Sequence, residues 1–126
     1  MKKVAKNDIR EERLYNEIIV DAYNEEERVL GWYYYLEDKI VFPFEAKVIK
    51  NMKISPLQKS ETVTAIGMVK VEECLNSMYV EIEWNRRKFG VPLEQLYPVN
   101  ITEEFDEDTV EAIEDWHYWK ERGYCF

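Results

Sequence analysis

Histidine is almost absent from this sequence: His117 is the only one in 126 residues, and it stands between Trp116 and Tyr118. A lone histidine among aromatics reads as a packed residue rather than a general base. Cysteine is nearly as scarce. Cys74 and Cys125 lie far apart and offer none of the close Cys/His spacings that hold zinc. In a reducing compartment they read as free thiols. The four glycines build no phosphate-cradling loop, and neither Gly-x-Ser-x-Gly nor His-Glu-x-x-His occurs. No spacing singles out a pair of carboxylates for acid–base work. The expectation is a protein that is not an enzyme. No apolar run approaches the roughly 18 residues of a membrane span. The start, Met1-Lys2-Lys3-Val4-Ala5-Lys6-Asn7-Asp8, turns polar before a signal-peptide core develops. A cytoplasmic location is expected.

Acid and aromatic residues are abundant instead. Twenty-six Asp and Glu against seventeen Lys and Arg leave a net charge of −9. A polyanion repels nucleic acid and anionic lipid, so neither is expected as a partner, while small cations and basic protein surfaces become candidates. The charge is unevenly placed. Residues 101–126 hold nine acids and two bases, whereas residues 43–100 are near neutral with seven acids and eight bases. With 46% hydrophobic and 14% aromatic residues, the chain can build one core, and a single domain over 1–126 is expected, with residues 1–8 flexible.

Periodicity gives the order of elements. Asp8 followed by Glu11 resembles a helix start, with Leu14, Ile18 and Ala22 on one face of a helix from Ile9 to Tyr23. Asn24 followed by Glu27 repeats the signal and opens a second helix to about Asp38. Within it, Trp32-Tyr33-Tyr34-Tyr35 has strand propensity and Gly31 weakens a helix. From Phe44 the period changes to two. Phe44, Ala46 and Val48 alternate with charged residues, Val63 to Val69 forms a second strand, and Val80, Ile82 and Trp84 alternate with Glu81 and Glu83. Asn85 to Lys88 is a basic turn, and Phe89 to Leu93 returns as a short strand with Pro92 favouring an edge. Leu93 to Leu96 reads as one helical turn before Tyr97-Pro98-Val99. A last helix, capped by Asp108 and ended by Gly123, carries Ala112, Ile113, Trp116 and Trp119 as its apolar stripe. The pattern predicts an α+β fold: a small SH3-like bent sheet or barrel, with two N-terminal helices and one C-terminal helix packed outside.

Hard cations such as calcium take about six to eight oxygen ligands. Two acidic stretches could supply them. One runs from Glu103 through Asp106 and Asp108 to Glu111, Glu114 and Asp115, where like charges three or four residues apart each cost roughly 0.2–0.5 kcal/mol that a cation could relieve. A solvated helix face favoured by the macrodipole explains the same residues. The other is Glu37-Asp38, where side-chain oxygens would lie beside the unpartnered carbonyls of a helix end. No EF-hand loop is present; Asp106-Glu107-Asp108-Thr109-Val110-Glu111 lacks the third ligand and the glycine. The competing reading is an acidic protein–protein interaction module with no specific ion site.

Several strings together carry a family resemblance. Glu17-Ile18-Ile19-Val20-Asp21-Ala22-Tyr23, Gly31-Trp32-Tyr33-Tyr34-Tyr35-Leu36-Glu37-Asp38-Lys39, Phe42-Pro43-Phe44, Ile54-Ser55-Pro56-Leu57, Val91-Pro92-Leu93 and Glu111-Ala112-Ile113-Glu114-Asp115-Trp116-His117-Tyr118-Trp119 resemble the CcbP family of cyanobacterial-type calcium-binding proteins. The resemblance spans about Glu12 to Tyr124. It implies reversible binding of Ca2+ at more than one site, without EF-hands, in a buffering or signalling role. It places Asp38 first among the ligands, with Glu37, Glu114 and Asp115 also in matching strings. Asp106 and Asp108 rest on the charge argument alone.

Overall fold

The computed structural model describes residues 4–74, 76–100 and 107–126. Helix α1 spans Asp8–Arg13 and continues as a π-helical turn over Leu14–Ile18. Helix α2 spans Glu25–Lys39 and α3 spans Glu107–Glu121. Between α2 and α3 lie strands β1 (Phe44–Val48), β2 (Thr62–Met68), β3 (Tyr79–Trp84), β4 (Arg87–Pro92) and β5 (Leu96–Pro98). All pairings are antiparallel, in the spatial order β4-β3-β2-β1-β5. The expected α+β class is what forms. The hydrogen-bonded ladder is open, with β4 and β5 as its edges, so the architecture is a five-stranded open sheet with helices packed on it.

Local chemistry explains the elements. The β3–β4 turn is Asn85-Arg86, both at positive φ (51° and 64°), which gives a two-residue hairpin loop whose twist matches the strands. It is tighter than the four-residue turn predicted, so β4 begins at Arg87, paired with Trp84. Pro92 lies on the edge strand, where its missing N–H leaves no gap in a central ladder. Helix α2 is capped by Asn24, whose side chain accepts from the Glu27 N–H at 2.8 Å, while the Glu27 carboxylate accepts from the Tyr23 N–H at 2.9 Å. The strand propensity of Trp32 to Tyr35 is overridden because helical spacing buries Trp32, Tyr33, Tyr35 and Leu36 together and leaves Tyr34 exposed. Helix α3 ends in a Schellman arrangement: Gly123 has φ 76°, the Tyr124 N–H bonds the Trp119 carbonyl, and the two rings meet at 5.3 Å.

Two helix boundaries differ from expectation. The first helix is capped by Asn7 rather than Asp8, and it ends at Ile18, not Tyr23. Its last turns open to a π-helical bond from the Ile19 N–H to the Leu14 carbonyl, 2.8 Å, which puts Leu14 and Ile18 into the core. Helix α2 crosses there at Gly31, where any Cβ would run into the Ile18 carbonyl oxygen. At the other end of the chain, Asp108 lies inside the first turn of α3 and does not cap it.

The core is one cluster. The inner faces of the strands supply Ala46, Val48, Ala65, Val80, Ile82 and Val91. Against them pack the indoles of Trp32 on α2 and Trp116 on α3, edge to face at 5.0 Å. No helix among the described residues is long and apolar enough to cross a membrane.

Candidate metal centre

The structure divides the predicted acidic residues into two groups that behave differently. Asp115 is buried, at 1% side-chain exposure, and is fully committed. Its Oδ1 accepts from Arg10 Nη1 at 2.6 Å and Arg13 Nη2 at 2.8 Å, and its Oδ2 accepts from Arg13 Nε at 2.7 Å and Tyr35 Oη at 2.8 Å. Four donors fill the roughly four lone-pair positions of a carboxylate. The Arg13 guanidinium is held above its usual range chiefly by this hydrogen bonding, and Tyr35 is pushed above its own by burial and the Asp115 charge. Glu114 is half-committed: it accepts from Arg10 Nη2 at 2.9 Å and from Tyr97 Oη at 2.6 Å. Glu111, more exposed, lies 3.7 Å from Arg13.

These contacts answer how α1 is held. The segment Asp8–Arg13 fully buries no side chain; only Leu14 and Ile18 of the continuing turn reach the core. It is fastened to α3 by Arg10 and Arg13, and by the Tyr118 hydroxyl, which accepts from the Asn7 N–H at 3.0 Å and donates to Glu11. The like-charge cost along α3 is therefore relieved by arginines of the same chain.

The second group is uncommitted. Glu37 and Asp38 are exposed in the last turn of α2, and Asp108 is exposed in the first turn of α3; none has a side-chain hydrogen bond or ion pair with another described residue. The macrodipole separates them. Acids at a helix N-terminus, such as Asp108, are stabilised, whereas acids at a C-terminus add to the negative end and cost about 0.3–1 kcal/mol each. Glu37 and Asp38 are at the unfavourable end. After the Leu36 carbonyl, which takes the Ile40 N–H at 2.9 Å, the last carbonyls of α2 have no partner within the helix. Glu37 and Asp38 thus lie in the helical turn whose last carbonyls the helix itself leaves unpartnered.

Asp38 also lines a cleft of about 450 Å³ together with Glu17, Tyr34 and Lys39, its floor made where α2 crosses the π-helical turn at Gly31. A second, polar cleft of about 380 Å³ lies beyond the α2 end, lined by Glu45, Asn100 and Thr109 among others. There Asn100, at φ 56°, donates to the Glu45 carboxylate, and the Thr109 hydroxyl accepts from the Val41 N–H at 2.8 Å. Sequence reasoning missed Glu17 and Glu45. Neither adjoins another acid in a motif, and only packing brings them to these clefts.

No group of three or more His, Cys, Asp or Glu among the described residues is gathered closely enough to hold a metal by itself. The donor set at Asp38 fits a hard cation only if main-chain oxygens and water complete it, which suits calcium and not zinc. Asp106 lies outside the described residues, as do Glu103 and Glu104. His117 is structural: its Nε2–H donates to the Leu96 carbonyl at 2.8 Å, and burial holds its pKa below the usual value. Cys74 is buried and Cys125 exposed, both as free thiols.

The profile of the family Calci_bind_CcbP, described as calcium binding, matches residues 12–120. The chain is similar over its full length to a solved structure described as the crystal structure of Anabaena CcbP, with 40% identity, TM-score 0.85 and all of both chains covered. A second solved structure, a calcium-binding protein in the calcium-binding form, is 39% identical with TM-score 0.83, again covering both chains completely. No curated protein matches the chain.

Proposed function

The chain belongs to the CcbP family of calcium-binding proteins, and from that premise we propose that it binds calcium reversibly, as a buffer or sensor, and performs no catalysis. The observation that carries the proposal is the family match over residues 12–120. Ligand choice rests on the split among the carboxylates. Asp38 is the primary ligand and Glu37 a supporting one, because both are exposed, unpartnered and at the negative end of α2. Glu17 lines the same cleft and adds to its negative field, while main-chain oxygens and water complete the coordination. Asp108, in the first turn of α3, and Asp106, two residues before it in sequence, serve a weaker second association. Glu114 contributes only from its exposed edge, and Asp115 acts as the anchor of the arginine pair.

Affinity follows from exposure. Carboxylates already solvated gain little from exchanging water for an ion, so binding is modest and readily reversed. Lys39 lines the same cleft, and its ammonium lowers the local negative potential that calcium meets. Magnesium competes poorly because it demands tight octahedral geometry and gives up water reluctantly. Cytoplasmic location is part of the same proposal, supported by two cysteines left as free thiols. A basic protein partner is a further part, supported by the net charge of −9.

Calorimetric titration tests the ion site. Saturable calcium binding that persists at physiological salt and moderate magnesium is expected, and Asp38→Asn should weaken the tightest site at least about tenfold, near 1.4 kcal/mol. Heat that disappears on adding salt would leave only general screening. Unchanged affinity in Asp38→Asn would remove Asp38 as the ligand while leaving calcium binding intact.

A further inference from the structure

At the opposite end of α2 from Asp38, a cleft of about 530 Å³ opens between the first turns of the helix and the 3-10 turn Val71–Glu73 that follows β2. Its floor is apolar: Val29, Leu30 and Val71. Its rim is acidic: Glu25, Glu26 and Glu72. The rim carboxylates are exposed and none has an ion-pair partner among the described residues. This contrasts with Glu111, Glu114 and Asp115 on α3, which the chain pairs with its own Arg10 and Arg13. The cleft is within the roughly 300–1,000 Å³ of binding clefts and is larger than the cleft beside Asp38.

We propose that this groove docks a short segment of a partner protein carrying an apolar anchor flanked by lysine or arginine. The apolar floor accounts for the anchor, since burying it removes hydrophobic surface from water on both sides. The three carboxylates account for the flanking bases, because they give charge complementarity at the rim, where charges steer encounter and select among partners. Val29 and Leu30 are adjacent on the helix while Val71 comes from another element, so the floor has the two-sided form that holds a side chain. Thirteen residues of helix at about 1.5 Å each place Glu25 about 20 Å from Asp38, so docking does not require the ion site. The inference rests on the reading that the partner is basic and makes that reading specific.

The test uses the full chain in the presence of a calcium chelator. The probe is an acetylated and amidated peptide Lys-Arg-Leu-Phe-Lys-Arg, followed by nitrogen-15 NMR titration. Two control peptides replace Leu-Phe by Gly-Ser, or all four bases by Glu. Saturable shifts at Val29, Leu30 and Val71 with the first peptide, and binding at least tenfold weaker for both controls, are expected. The charge reversal Glu25→Lys, Glu26→Lys, Glu72→Lys alters only exposed side chains and should weaken the first peptide at least tenfold. Leu30→Glu should do the same by filling the floor with charge, with circular dichroism confirming the fold. Equal binding of the Gly-Ser peptide, or shifts confined to other surfaces, would overturn the groove while leaving a basic partner in place. No binding of any basic peptide would overturn both. Concentration-dependent dimerisation with shifts at the same residues would make the occupant a second copy and likewise overturn the proposal.

Discussion

Asp115→Asn removes one negative charge from the interior while keeping nearly the same shape. Arg10 and Arg13 would then face a neutral amide, and the new NH2 group would compete with the donors that Arg13 Nε and Tyr35 Oη now aim at Oδ2. Removing one partner of a fully buried ion pair costs about 3–5 kcal/mol. Here the arginine side chains are 22% and 15% exposed, so water reaches them and the cost falls to about 2–4 kcal/mol. For a chain of this length such a loss lowers Tm by on the order of 10 °C. Because Asp8–Arg13 fully buries no side chain, its detachment should come first, and hydrogen exchange should rise along it before the sheet is affected. Urea unfolding followed by tryptophan fluorescence measures the total, and Glu114→Gln is the control. That residue's side chain is 35% exposed, and its loss should cost under about 1 kcal/mol. A loss below 1 kcal/mol in Asp115→Asn, or an equal loss in both variants, would refute the anchoring role. A fall in calcium affinity without a fall in stability would place Asp115 among the ligands instead.

Other perturbations probe different parts of the fold. Gly31→Ala should cost about 1–3 kcal/mol, because the added methyl meets the Ile18 carbonyl and must push the π-helical turn away from α2; chemical denaturation reads it, and a neutral result would contradict that contact. Tyr33 donates to the Val69 carbonyl at 2.6 Å, and burial with the nearby Glu37 charge pushes its pKa up to about 12. The unfolded tyrosine ionises near pH 10 and the folded one later, so its contribution is complete below pH 10 and is lost as pH rises to about 12. The decline should approach about 1.4 kcal/mol per pH unit over that window, and it should shrink in Tyr33→Phe. His117 runs the other way. Its lowered folded pKa contributes stability above pH 6.5 that is lost on acidification through the folded value, and His117→Gln should flatten the acid limb of an unfolding-versus-pH series.

Elements with strong local signals were legible from the residues alone. Asn24 with Glu27 set the start of α2, Gly123 set the end of α3, and alternation from Phe44 to Val48 set a half-buried strand, because capping, positive φ and period two are properties of a few neighbouring residues. The Cys and His spacing likewise pointed away from zinc and the missing loop pattern away from an EF-hand, and the strings around Tyr33 and Trp116 carried the family. The π-helical opening at Leu14–Ile18 was not legible, since it answers to the approach of Gly31 from another helix. Nor was the division among the acids. In sequence, Asp38 and Asp115 are both members of acidic pairs. Tertiary structure turns Asp115 inward onto Arg10, Arg13 and Tyr35, between 80 and 105 residues away, and leaves Asp38 in water at a helix end. Charge content is a property of composition and can be counted along a chain. Whether a charge is already neutralised depends on which distant cation the fold brings within about 3 Å, and only packing decides that.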